Sequence, residues 1–253
     1  MARNVAPALG ALLDHLIDYA GLFPPASLPL GRALANFHHY CRSKHAWMLG
    51  RFVIPAAQLQ RVPAHFDTAF AVLSDTDHPR AAAIESKQVL STPKPTYCEA
   101  AVDQLDAVLA AGAFAKIRTG GTQPQAIPSI DTLAAYITAC AERRLPFKAT
   151  AGLHHPIRSH HPLAYEADAP RATMHGFINV FLAAALAWHA HPDIAPVLAE
   201  TDPAAFWFDE HAHWRDRSLS TREITEARAH FAHSFGSCSF EEPVADLEEL
   251  GWL

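Results

Sequence analysis

The sequence predicts an α/β protein built as a single (β/α)8 TIM-type barrel spanning residues 1–253, and three observations lead there. Strand-like and helix-like segments alternate along the chain, which is the pattern of a parallel sheet. Eight strand and helix pairs fit into the 253 residues, close to the ~250 of a typical barrel. Polar side chains gather at the tails of the strand-like segments, the end at which barrel enzymes carry their active sites. The alternative, an open doubly wound sheet, has no glycine-rich dinucleotide fingerprint to support it.

The elements follow in chain order. The first strand is expected over Tyr19 to Phe23, stopped by Pro24-Pro25, with a helix from Leu30 to Lys44. The second strand is Leu49 to Pro55 and the third Thr68 to Ser74; Pro79 to Gln88 reads as a helix, and the fourth strand is Thr96 to Glu99. A helical stretch from Val102 to Ala111 is closed by Gly112, a residue suited to a left-handed helix terminus. The fifth strand holds Lys116. Ser129 then N-caps a helix to Arg144, in which Ile130, Leu133, Ala134, Ile137 and Ala141 form one apolar stripe. The sixth strand holds Lys148, a helix runs from Thr173 to His189, and Phe206 to Glu210 is expected as the seventh strand. A helix from Thr221 to Ala232 and an eighth strand, Phe235 to Ser239, follow. Pro243 opens a last helix that reaches Leu250.

Composition narrows the function. Half of the residues are hydrophobic, enough for a full core, and the net charge of -6 without a lysine or arginine run argues against nucleic-acid or anionic-membrane binding. A small-molecule substrate is the expected partner. The 17 histidines titrate near pH ~6.5, so mildly acidic buffer should bring the net charge toward zero. Cys41, Cys98, Cys140 and Cys238 are far apart and form neither a metal motif nor a disulfide framework. The longest apolar run, Phe177 to Trp188, is shorter than the ~20 residues that span a bilayer and contains Asn179. The apolar stretch at 5–13 is interrupted by Asp14, His15 and Asp18 and lacks a signal-peptide cleavage site, so a cytoplasmic location is expected. The apolar C-terminus, Gly251-Trp252-Leu253, hints at a homo-oligomer interface.

The chemistry centres on two lysines. In Phe114-Ala115-Lys116-Ile117-Arg118 and Phe147-Lys148-Ala149-Thr150, alternation places lysines and polar residues on one face and apolar residues on the other. A lysine turned into a barrel must be paired or neutral. Pairing with a carboxylate such as Glu99 or Asp209 is the plain structural reading. A neutral lysine is a nucleophile toward carbonyl carbon and forms an imine. Around the pair, His154 and His175 are candidates for proton transfer; Arg51 and Arg118 suit a substrate carboxylate or phosphate. Glu99, Gly120, Gly121, Thr150, Asn179 and Ser237 are further candidates for substrate contact.

The segments Lys116-Ile117-Arg118-Thr119-Gly120-Gly121 and Phe147-Lys148-Ala149-Thr150-Ala151-Gly152 resemble the two lysine strands of the deoxyribose-phosphate aldolase group of Schiff-base-forming barrels. The resemblance covers about a fifth of the chain and implies Lys116 as nucleophile and Lys148 as the residue that tunes its pKa. Phe235-Gly236-Ser237-Cys238-Ser239 loosely resembles that group's late phosphate loop. Arg118, Gly121 and His154-His155 depart from its pattern. The expectation is a lysine-dependent aldolase or lyase acting on a small anionic carbonyl compound without a cofactor. Two alternatives stand beside it. One is a metal-dependent hydrolase, lyase or isomerase holding a divalent ion such as zinc through His154, His155, Asp209, His211 and His213. The other is a barrel that binds a small molecule without catalysis.

Overall fold

Eight parallel strands close into a barrel in the computed structural model, which describes residues 5–64, 66 and 69–253. They are β1 (Ile17–Tyr19), β2 (Leu49–Pro55), β3 (Phe70–Leu73), β4 (Ala81–Ser86), β5 (Thr96–Glu99), β6 (Phe114–Arg118), β7 (Phe147–Thr150) and, last in the chain, β13 (Ala232–Ser237). β1 pairs with both β2 and β13, which completes the ring. The single-barrel expectation is met, and the two lysine strands lie side by side with Lys116 opposite Lys148.

One expected helix and one expected strand change identity. Pro79 to Gln88 contains β4, not a helix: its alanines favour a helix intrinsically, but parallel ladders to β3 on one side and β5 on the other override a preference of less than ~1 kcal/mol per residue. Lys116 and Lys148 therefore stand on the sixth and seventh barrel strands. The expected seventh, Phe206 to Glu210, lies outside the barrel. There β10 (Phe206–Phe208), β11 (His211–Trp214) and β12 (Arg217–Ser220) form an antiparallel sheet. Aromatic residues and two-residue alternation identify a strand without identifying its sheet.

Other boundaries move for local reasons. β1 begins and ends earlier than expected, because Gly21 to Ser27 form a turn over the barrel end. Thr68, expected to open the third strand, lies outside the described residues. Helix α5 (Ile130–Glu142) is capped as expected, Ser129 accepting from the Thr132 N–H. Helix α6 (Phe177–Trp188) starts at the Gly176 N-cap, later than Thr173. Thr173 belongs instead to β9 (Arg171–Met174), which pairs with β8 (Ser159–Pro162) in a hairpin over the mouth. Ser220 and Glu223 cap α8 (Thr221–His230) reciprocally, and Pro243 stands in the first turn of α9 (Glu241–Glu249).

The core is continuous from the barrel staves to the helices. Phe147, Phe181, Phe231 and Phe235 are fully buried between β7, α6 and β13, and Phe147 and Phe231 meet edge to face at 5.1 Å. At the C-terminus Trp252 packs edge-on against Phe208 at 5.2 Å, and both Trp252 and Leu253 rest on the core of their own chain. No helix among the described residues is long and apolar enough to cross a membrane. All four cysteines are free thiols.

Candidate active site

The lumen holds an ionic cluster made by strands remote in sequence. Lys148 Nζ lies 2.6 Å from Asp18 Oδ2 on β1 and 2.6 Å from Glu85 Oε1 on β4. Asp18 Oδ2 also accepts from the Ser234 hydroxyl at 2.8 Å, and Oδ1 accepts from the Arg51 N–H at 2.7 Å. Position 50 must be glycine for this: a Cβ there would come within 2.3 Å of Asp18 Oδ1. Burial pushes Asp18 and Glu85 toward neutrality. The Lys148 ammonium, helped by Arg51 near Asp18 and by Lys116 near Glu85, overcomes this and holds both carboxyls below the usual carboxylate range. Burial likewise opposes the Lys148 charge, and its two carboxylates raise its pKa above that of an ordinary lysine.

Lys116 is placed differently. Its Nζ is 3.5 Å from Glu85 Oε2 and 3.8 Å from Glu99 Oε2, both longer than a close ion pair. It is buried, yet it borders a cavity of about 700 Å³ at the C-terminal ends of the strands; Lys148 does not. The expectation that each lysine meets a carboxylate is met, with Glu85 and Asp18 as the main partners and Glu99 as a looser one. Asp209 is no part of the cluster.

Among the expected site residues, Glu99, Lys116, Arg118, Gly121, Thr150 and His154 line this cavity. Five others do not. Arg51 borders a second cavity with Arg228 and His233 at the opposite, N-terminal end, because it sits near the start of β2. Gly120 is buried against Gly152, where a Cβ would meet the Gly152 Cα at 2.8 Å; its role is close backbone packing between the loops after β6 and β7. Ser237 is buried, with its neighbours Gly236 and Cys238 reaching the cavity instead. His175 precedes α6 and is buried, its Nε2 donating to the Pro128 carbonyl at 2.8 Å. Asn179 binds the 158 N–H and the carbonyls of Val197 and Glu200, which makes it a loop anchor.

The mouth is closed on one side by the 151–176 excursion, which is fastened to α9. His154 Nδ1 meets Glu242 Oε2 at 3.0 Å, His155 Nδ1 meets Asp246 Oδ2 at 2.6 Å, and the Tyr165 hydroxyl donates to Glu242 at 3.1 Å. Glu242 and Asp246 are four apart and share a helix face. Burial opposes the Glu242 charge, but the His154 hydrogen bond and charge hold its carboxyl below the usual range. His161 stacks on His155 at 3.4 Å between centroids. Burial raises the Cys238 thiol, which meets the Tyr165 hydroxyl at 3.7 Å.

The expected five-residue metal group does not converge. His154 and His155 are at the mouth, each on its own carboxylate, whereas Asp209, His211 and His213 lie together on the outer sheet and none of these three lines the cavity.

Sequence reasoning missed Asp18, Glu85, Glu242 and Asp246. Gly50 was a legible signal for Asp18 only once the barrel was closed, and the four-residue spacing of Glu242 and Asp246 was visible without its histidine partners.

No family model, curated protein or solved structure matches the chain. The barrel is a fold on which enzymes are common, and a fold by itself assigns no reaction.

Proposed function

We propose that the protein is a lysine-dependent, imine-forming lyase of the aldolase type acting on an anionic carbonyl compound. The observation that carries this reading is the contrast between the paired lysines. Lys148 is clasped at 2.6 Å by two carboxylates, while Lys116 borders the cavity with its nearest carboxylate oxygen at 3.5 Å. Glu85 is the nearest acceptor for the Lys116 proton.

The neutral amine adds to the substrate carbonyl carbon, and two proton transfers release the carbonyl oxygen as water, leaving an iminium. This takes up the electron pair of a bond from the α carbon, to hydrogen or to the β carbon, giving an enamine; in the carbon–carbon case the β hydroxyl gives its proton to a base and that fragment leaves as a carbonyl compound, after which protonation of the enamine and hydrolysis return the lysine. The His154 and Glu242 pair supplies proton transfer from the cavity wall. Glu242 orients the ring through Nδ1, leaving Nε2 for substrate. Arg118 holds the anionic group, with the Gly121 turn beside it. Phe23, Pro25, Val53, Leu73, Leu163 and Met174 form the apolar wall, which suits a substrate carrying an aliphatic or aromatic chain.

Borohydride trapping with a panel of oxo acids, aldehydes and ketones tests this. Intact mass should rise by one reduced substrate, and peptide mapping should put the adduct on Lys116. Absence of an adduct across the panel, or an adduct on other lysines alone, overturns the reading.

A further inference from the structure

The outer antiparallel sheet carries a group of side chains with no part in the chemistry above. Asp209 stands in the turn between β10 and β11, and His211 and His213 stand two apart on β11, hence on one face of the central strand of three. Their ligand atoms all lie within 4.8 Å of one another. Asp209 Oδ1 is 3.0 Å from His213 Nε2 and 3.8 Å from His211 Nδ1. Two donors each ~2.0–2.2 Å from a tetrahedral ion lie roughly 3.3 Å apart, so both Asp209–histidine distances lie within about 0.5 Å of coordination spacing.

The group is held in place before any ion arrives. Trp207 stacks on the His213 ring at 4.5 Å between centroids and 7° between planes, fixing the imidazole. The Asp209 N–H donates to the His211 carbonyl, the Asp209 carboxylate Oδ1 accepts from the His211 N–H at 2.6 Å, and the Asp209 carbonyl accepts from the Ala8 N–H at 3.1 Å, tying the turn to the N-terminal helix. Histidines at the mouth lack this convergence, since His154 and His155 are bound to separate carboxylates.

We infer that Asp209, His211 and His213 form a binding site for a divalent transition-metal ion. Two imidazoles and one carboxylate suit zinc, nickel or copper and disfavour magnesium and calcium, which take oxygen ligands. The carboxylate is 62% and the His211 ring 49% exposed, so the remaining coordination positions face solvent. The ion locks the turn between β10 and β11 and exchanges with the medium.

Equilibrium dialysis and calorimetry with zinc chloride test the site. The unmodified protein should take up one tight equivalent, and His213→Gln and Asp209→Asn should each weaken that uptake at least tenfold. Lys116→Met should bind zinc as the unmodified protein does, which separates this inference from the lyase reading. X-ray absorption of the zinc-loaded unmodified protein should report two imidazole ligands, a readout that holds even where a variant misfolds. No saturable equivalent, uptake that both variants retain, or a coordination shell without two imidazoles overturns the site; with 17 histidines in the chain, scattered weak uptake is the rival outcome.

Discussion

The lumen and the N-terminal base of the barrel bury cations in opposite ways. In the lumen, beneath the cavity, Lys148 faces two ionised carboxylates, and its pKa rises despite full burial. At the N-terminal end Arg228 donates to the carbonyls of Asp14, Ala232 and His233, and burial brings its pKa down to about 10. His233 beside it faces the Tyr97 hydroxyl at 2.8 Å, and burial with the nearby Arg228 and Arg51 charges brings it down to about 4. A neutral acceptor satisfies a hydrogen bond without restoring the electrostatic cost of leaving water. The lumen keeps its charges, whereas the base discharges its histidine and uses its arginine as a carbonyl clamp.

The sharpest way to break this comparison is to interchange the predicted roles of the two regions. Lys116→Met should eliminate the borohydride adduct and lower turnover by about 10⁶-fold, the scale of losing a covalent nucleophile. Arg51→Met at the base should leave turnover unchanged, and a comparable collapse there would move the chemistry to the wrong end. His154→Gln should reduce kcat by about 10²–10⁴-fold as a lost proton-transfer group. His233→Asn, assayed in parallel, should not reduce kcat.

Stability sharpens the same contrast. Lys148→Met strands Asp18 and Glu85 as buried carboxylates without their main counter-charge, and urea unfolding should show a loss of about 3–5 kcal/mol. The acid response has two parts. The folded pKa values of Asp18 and Glu85 lie below the unfolded ones, so their contribution is complete above pH ~5 and disappears as pH falls through the ordinary carboxylate range toward those lower values. His233 also has a depressed folded pKa, but as a base: the unfolded chain binds the proton first, so stability is lost as pH falls from about 6.5 to about 4, by roughly 3 kcal/mol in all. Unfolding midpoints at about pH 7 and pH 4.5 should therefore lie closer together in His233→Asn than in the unmodified protein. Arg228→Met should show the smallest effect, about 1–3 kcal/mol for stranded carbonyls. A loss equal to that of Lys148→Met would erase the distinction between the two regions.

How much of this was legible in the sequence depended on whether the signal was local. The two lysine strands announced themselves through two-residue alternation, and Glu99, Arg118, Gly121, Thr150 and His154 reached the cavity because they stand on or just beyond strand ends. Glu85 was hidden by alanines that read as helix, and its true state came from flanking strands supplied by other parts of the chain. Asp18 looked like an interruption in an apolar stretch, since nothing within its own neighbourhood shows the lysine that needs it. Asn179 and His175 misled for a related reason: a helix assigned from Thr173 placed both at the mouth, and the β8–β9 hairpin delays that helix to Phe177.

The Lys148 clasp also has a meaning in time. Asp18 and Lys148 are 130 positions apart, and Glu85 is 63 positions before the same lysine. A nascent chain that has exposed β1 through β6 carries both carboxylates with Lys116 as the only lumen lysine, and a hydrated lumen is the favourable state for that charge pattern. Only when β7 emerges does drying the lumen become tolerable, well before β13 arrives to join β7 to β1 and shut the ring.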